Sequence, residues 1–168
     1  MRGIVLGIFL AMFIVVAGGY LLVRSGRLSM ATSAPPLPME MKLAHMAIRA
    51  SIGDAKDKKD PLPFDDANMV AGVKVYKQHC ALCHGSPQQP QPAMAKAMYP
   101  PPPQLFESKD MVTDDPDGET YWKVVHGIRL TGMPGFADIL TDTQCWQVTM
   151  LVAHADKLSH AAQMAFEH

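Results

Sequence analysis

The chain is poor in cysteine, carries almost no net charge and lacks the motifs of several common enzyme classes. Three cysteines among 168 residues disfavour a framework of disulfides. A net charge of −1 gives no global attraction for nucleic acid. The sequence also lacks a Ser/His/Asp set, a glycine-rich phosphate loop, a paired-carboxylate motif, an internal repeat and a convincing strand pattern. These absences predict an all-α protein whose chemistry depends on some other kind of site.

Acidic and basic residues are missing from one long segment near the N-terminus, residues 3–23. As a helix, this segment would span about 31 Å, close to the hydrocarbon core of a bilayer. The apolar core of a secretory signal is shorter, about 7–15 residues. We therefore expect an uncleaved transmembrane anchor over 1–27, although residues 29–31 and 32–34 are small-residue sequences of the kind found at cleavage sites.

Three further segments follow the predicted anchor. Residues 28–64 are typical of a linker that contains a short amphipathic helix at 39–52. The main domain is placed at 65–160, where Asp65 or Asp66 caps its first helix and Thr141 with Gln144 forms a capping box before the last. Residues 161–168 are interpreted as a C-terminal tail. The Pro- and Gln-rich loop at 85–103 is long for so small a domain, which favours a large buried cofactor as its organiser.

One motif in the main domain carries chemistry. Cys80, Cys83 and His84 form Cys-x-x-Cys-His, the attachment signature of c-type haem. Two sulfurs on one helical turn can form thioethers with the two vinyl groups of one porphyrin, and the histidine then lies beneath the iron. The alternatives are a zinc site, which would need a second ligand pair, and a dithiol, which would need a βαβ context. We predict one covalently bound haem c.

The second axial ligand of the iron is predicted in RLTGMPGF, residues 129–136. Met133 lies there between Gly132 and Pro134. This turn can hold a thioether out from an extended loop, because glycine admits a close backbone approach and proline stiffens the exit. A neutral sulfur favours ferrous iron and raises the reduction potential. The rival ligands are His126, His154, His160, Met94, Met98, Met111 and Met150.

Taken together, the segments GVKVYKQHCALCHG, HGIRLTGMPGF and CWQVTMLVAH resemble the class I cytochrome c family over residues 66–158. More narrowly, the chain is similar to small, membrane-anchored, periplasmic monohaem cytochromes c of bacteria. The resemblance implies a class I cytochrome c fold whose first and last helices cross at Gly72, Tyr76 and Trp146. It also implies that a backbone carbonyl within 99–105 accepts a hydrogen bond from the ligand histidine and orients its ring.

Two interpretations of single residues accompany the resemblance. Cys145 stands where the family commonly has a large aliphatic residue, and we interpret it as a small buried hydrophobe. Four side chains close in sequence to the ligand loops are expected to meet the haem propionates. They are Tyr99, Trp122, Arg129 and Thr131.

The expected function is single-electron transfer, because an iron with both axial positions filled by protein has no vacancy for a substrate. The chain would carry electrons between redox proteins, alone or as a subunit of a respiratory or dehydrogenase complex, and no enzyme activity of its own is expected. The alternatives are a haem-based sensor and a peroxidase-like enzyme in which Met133 dissociates. The resemblance implies a bacterial inner-membrane location with the haem domain in the periplasm. From residue 65 onward, seven Lys/Arg stand against twelve Asp/Glu, which favours basic partners.

Overall fold

Helices account for the regular structure of residues 2–167, the part of the chain that the computed structural model describes, and no strand forms there. The chain divides into two compact units, Met1–Pro35 and Pro36–His168. Residues 1 and 168, the first of the predicted anchor and the last of the predicted tail, lie outside the described residues. The all-α fold class that the sequence predicts is therefore confirmed.

The first unit consists mainly of helix α1 (Arg2–Arg24), followed by an irregular segment. Its mean hydropathy reaches 2.6 over an 18-residue window, so the helix is long and apolar enough to cross a membrane. A signal sequence near the N-terminus meets the same criteria.

The second unit begins with α2 (Glu40–Ile52), which confirms the predicted amphipathic helix, and a 3₁₀ turn (Gly53–Asp57). Its remaining helices are α3 (Asp66–His79), α4 (Ala81–His84), α5 (Ala93–Ala97), α6 (Asp117–His126), α7 (Asp142–Ala153) and α8 (His160–Glu167).

Both predicted helix caps are present in this unit. The Asp65 carboxylate accepts a hydrogen bond from the backbone N–H of Asn68 at 2.9 Å and begins α3. Thr141 and Gln144 form the reciprocal capping box that begins α7.

Helices α3 and α7 pack against each other through Gly72, as the resemblance implies. A Cβ at this position would overlap the backbone carbonyl oxygen of Gln147 and lie 3.2 Å from Cβ of Leu151. The aromatic contacts of the other two expected crossing residues are with different elements. Trp146 stacks on Tyr121 of α6, and Tyr76 packs edge-on against Phe106 and Phe166. Gly72 therefore permits the close approach of the two helices, and a hydrogen bond from the Gln147 amide to the Asn68 side chain at 3.0 Å also joins them.

The sequence predicts that the main domain ends at residue 160 and that a tail begins at residue 161. Helix α8 spans this predicted boundary. Ala162 in this helix is fully buried, and Phe166 packs edge-on against Phe106 at a centroid distance of 5.2 Å. Lys77 of α3 donates hydrogen bonds to the carbonyls of Ala165 and Phe166, at 3.1 and 3.3 Å. These are carbonyls that a helix C-terminus leaves without internal partners. The last turns of the chain are thus packed onto α3.

Part of the predicted linker is also packed. A Cβ at Gly118 of α6 would overlap the carbonyl oxygen of Ala55 and lie 2.7 Å from that of Lys56, so the 3₁₀ turn lies directly against α6. Ile52, at the end of α2, has only 4% of its surface exposed. Residues 52–57 are therefore held by the second unit, because a glycine on α6 allows the two backbones to approach closely.

Candidate haem site

The haem-attachment motif lies where α3 ends and the single turn of α4 follows. The backbone N–H groups of Cys83 and His84 both donate to the Cys80 carbonyl, at 3.1 and 2.9 Å, which places the two cysteines on one turn. Both cysteines are free thiols and half-buried. Burial raises the pKa of Cys80 to about 12, and the neighbouring Cys83 adds to this shift. The Cys80 thiol is therefore neutral at physiological pH.

The imidazole of His84 is held in one tautomer. Its Nδ1 lies 2.8 Å from the carbonyl oxygen of Pro103, and because a carbonyl only accepts, Nδ1 carries the proton. This contact confirms the prediction of a backbone acceptor within residues 99–105. Burial lowers the pKa of His84, and the hydrogen bond to Pro103 opposes part of that shift. The neutral ring keeps the Nε2 lone pair free for a metal.

Two buried side chains hold the backbone around the motif. The side-chain amide of Gln104 donates to the carbonyl of Cys83 at 3.1 Å and to that of Pro102 at 3.0 Å. The hydroxyl of Tyr76 donates to the carbonyl of Gly85 at 2.9 Å. Sequence reasoning did not identify either role. The available signal was that Gln104 is the one amide in the apolar run 99–106, and a buried amide needs partners.

The loop that carries Met133 is closed by its own hydrogen bonds. The Thr131 hydroxyl donates to the Ile128 carbonyl at 2.7 Å and accepts from the Met133 N–H at 3.1 Å. The Ile128 N–H donates to the Met133 carbonyl at 3.1 Å. Gly127, with φ of 66°, allows this fold-back, because a Cβ there would lie 2.5 Å from the backbone of Pro134 and Gly135.

Gly132 has a separate role from the one predicted for it. A Cβ at this position would overlap the terminal methyl group of Met98. The glycine therefore leaves room for a second methionine beside Met133, and not for a backbone approach, which takes place at Gly127.

One cavity of about 440 Å³ brings the predicted site residues together. Its lining includes Cys80, Cys83, His84 and Met133. Of the rival ligands, Met98 lines the cavity, whereas Met150 is buried in the core and His126 is exposed at the end of α6. The cavity is not lined by His154, His160, Met94 or Met111 either.

Most of the residues expected to meet the propionates lie elsewhere. Thr131 lines the cavity, but its hydroxyl is used within its own loop. Tyr99, Trp122 and Arg129 do not line it, although the Tyr99 hydroxyl is buried without a hydrogen-bond partner among residues 2–167. Three side chains of α2 line the cavity and were not expected there: His45, Ile48 and Arg49.

The cavity fits a covalently bound haem. Its volume lies within the range of cofactor pockets, about 300–1,000 Å³, and its lining is mainly apolar. The thiols of Cys80 and Cys83 are free to form thioethers. Thr120 also lines the cavity, and its buried hydroxyl has no hydrogen-bond partner among residues 2–167. Over the same residues no group of three His, Cys, Asp or Glu side chains is arranged to hold a metal ion, which disfavours the zinc alternative.

Cys145 lies away from this cavity, in the core. It is 1% exposed, and burial, followed by the nearby Asp142, raises the pKa of its thiol. This environment agrees with the interpretation of Cys145 as a small buried hydrophobe.

Comparison with known families gives one match. Residues 67–150, half of the chain, match the family model described as Cytochrome C oxidase, cbb3-type, subunit III. The matched range begins in α3, includes Cys80, Cys83, His84 and Met133, and ends in α7. Comparison with curated proteins found no match.

Proposed function

The chain belongs to the c-type cytochrome family whose model it matches, and on that premise we propose that it is a membrane-anchored monohaem carrier of single electrons. The family binds haem c covalently and uses it for electron transfer. In this chain we assign haem attachment to Cys80 and Cys83, and the two axial positions of the iron to His84 and Met133.

One observation supports this assignment above all others. A single cavity is lined by Cys80, Cys83, His84 and Met133. The imidazole is already in the tautomer that leaves Nε2 unprotonated, because Nδ1 donates to Pro103. Metal-binding histidines are typically oriented by such a contact of their second nitrogen.

When bound, the haem supplies an iron that accepts and releases one electron. The chain's own residues keep its surroundings constant. Pro103 holds the proton of His84 on Nδ1, Gln104 and Tyr76 fix the backbone on both sides of His84, and Thr131 closes the loop of Met133. A preorganised, largely apolar pocket keeps water away and lets neither ligand move far as the charge of the site changes.

The location and partners form the outer part of the proposal. Helix α1 would anchor the chain in a bacterial inner membrane, with the haem domain in the periplasm. The chain would exchange electrons with protein partners, alone or within a respiratory or dehydrogenase complex. The family description supports an oxidase complex as one such setting. The proposal keeps the predicted limits of these segments: the anchor ends at residue 27, the linker covers residues 28–64, and the haem domain begins at residue 65.

The experiment compares two methionine variants of the purified full-length holoprotein. In the wild type we expect a near-infrared charge-transfer band between methionine sulfur and ferric iron, and no CO binding to the reduced form at neutral pH. Met133→Ala should lose the band, bind CO and show a lower midpoint potential. At a fixed solution potential, the ratio of reduced to oxidised haem should fall at least tenfold. This corresponds to a midpoint potential about 59 mV lower for a one-electron couple.

Met98→Ala is the matched control, because Met98 lines the same cavity. It should keep the band. If Met98→Ala loses the band and Met133→Ala keeps it, the axial sulfur belongs to Met98. Rapid CO binding by the reduced wild type would favour the haem-based sensor, and turnover with peroxide would favour the peroxidase-like enzyme.

A further inference from the structure

Helix α2 lies outside the residues that match the family, yet it forms part of the cavity wall. His45, Ile48 and Arg49 line the cavity. Their spacing of three and four residues places them on one face of the helix. One turn later Ile52 is buried, and the 3₁₀ turn after it lies against Gly118 of α6. The helix is thereby fixed at its C-terminal end, close to the residues that line the cavity.

The charged side chains around the cavity are unequally compensated. Lys123 forms ion pairs with Glu119 at 2.7 Å and with Asp115 at 3.3 Å, so the positive charge of this lysine is already neutralised. Arg49 has no acidic side chain within 4 Å and makes no side-chain hydrogen bond among residues 2–167. Arg49 is therefore a permanent cation in the exposed part of the cavity lining, without a protein partner among residues 2–167.

A haem brings two carboxylates into a pocket that already contains Asp115 and Glu119. Another anion beside these two would be unfavourable unless a cation accompanied it. A guanidinium matches a carboxylate with two parallel N–H donors, which makes Arg49 a suitable partner. Arg129, the one cation among the four residues that the sequence analysis expected at the propionates, does not line the cavity.

We propose that Arg49 binds a haem carboxylate and that α2 is a cover, added to the family domain, which raises the reduction potential of the iron. The proposal rests on the proposed function, because it assumes a haem attached in this cavity. A positive charge near the iron favours the ferrous form, which carries one positive charge less than the ferric form. Arg49 acts as a positioning residue and does not touch the iron.

The test measures the midpoint potential and the resonance Raman propionate bending band of the full-length holoprotein. At a solution potential equal to the wild-type midpoint, the ratio of reduced to oxidised haem should be at least threefold lower in Arg49→Gln. This corresponds to a midpoint potential about 28 mV lower, at 59 mV per tenfold change in the ratio. The same variant should shift the propionate band, which a purely structural role would leave unchanged. Arg49→Lys should restore at least half of the potential shift because it keeps the charge. Since Arg49 is exposed, none of these changes removes a core contact.

Two other variants decide between local contact and general charge. Arg129→Gln makes the same chemical change at the one arginine that the sequence analysis expected near the propionates, and it should leave the propionate band in place. Lys42→Gln removes a positive charge from α2 about two turns away, from a residue that does not line the cavity, and it should move the potential less than half as far.

The proposal is overturned if Arg49→Gln leaves both the ratio of reduced to oxidised haem and the propionate band at their wild-type values. It is also overturned if Arg129→Gln shifts the propionate band and Arg49→Gln does not. The methionine-to-iron band of the wild type separates this failure from a failure of the proposed function. With that band present, an unaffected Arg49→Gln variant refutes only the role of Arg49. Without it, the axial ligation is wrong and the present inference fails with it.

Discussion

The hydroxyl of Tyr76 is a single buried group whose removal tests how the haem motif is held. Tyr76 lies on α3, is fully buried and donates a hydrogen bond to the Gly85 carbonyl at 2.9 Å. Gly85 follows His84 directly and is itself buried. Tyr76→Phe keeps the ring, with its edge-on contacts to Phe106 and Phe166, and deletes only the donor.

The expected cost follows from the acceptor that is left behind. A buried carbonyl deprived of its donor costs about 1–3 kcal/mol, and no other donor to the Gly85 carbonyl exists among residues 2–167. We expect the free energy of unfolding to fall by about 2 kcal/mol, which corresponds to a loss of roughly 8 °C in Tm. The assay is thermal and guanidinium unfolding of the ferric holoprotein in detergent, with the near-infrared band recorded to show that the axial ligands are unchanged.

Tyr121→Phe is the matched control, because it also removes a tyrosine hydroxyl that donates a hydrogen bond. Its acceptor, the Asp142 carboxylate, is exposed, so water can replace the lost donor and the cost should stay below about 1 kcal/mol. Equal stability of the two variants would refute the reasoning that burial of the acceptor sets the cost.

Two further predictions concern packing, both measured as the denaturant midpoint of the holoprotein. Gly72→Ala should lower the free energy of unfolding by about 1–3 kcal/mol, because overpacking at the Gln147 carbonyl outweighs the higher helix propensity of alanine. A variant as stable as the wild type would mean that α3 and α7 are not in close contact. Phe166→Ala should cost about 2 kcal/mol, less than a fully buried phenylalanine, because its ring is half-buried against Phe106. Met164→Ala, on the exposed side of α8, should cost below about 0.5 kcal/mol, and equal losses would argue against packing of the C-terminal helix.

Local signals in the sequence predicted the helix ends correctly, and the family resemblance predicted the backbone acceptor of His84. Asp65, the Thr141/Gln144 capping box and the stop at Gly127 each depend on residues within four positions of one another. The acceptor for His84 was also predicted, because the resemblance places a carbonyl within the proline-rich segment and the structure has it at Pro103. The helix caps depend on short stretches of chain that have the same meaning in any tertiary context. The contact between His84 and Pro103 joins residues 19 positions apart, and the family resemblance predicted it.

Sequence reasoning failed for several other contacts between distant segments. Arg129 is near Met133 in sequence but does not line the cavity, whereas Arg49, more than 80 residues before Met133, does. Gln104 reaches back to Cys83, and α8 packs on α3 although its residues were expected to form a tail. A hydropathy pattern predicts which face of a helix is apolar, but it does not predict which other segment packs against that face.

The amino-acid sequence by itself determined the chemistry of the site: two thiols and an imidazole on one turn, a thioether between Gly132 and Pro134, and an all-α fold around them. These are properties of residue type and local spacing. Only the tertiary structure decided that three residues of α2 line the cavity, that Arg49 among them has no acidic partner within residues 2–167, and that the last helix packs on the core. Such contacts join residues far apart in the chain, and packing in three dimensions selects them.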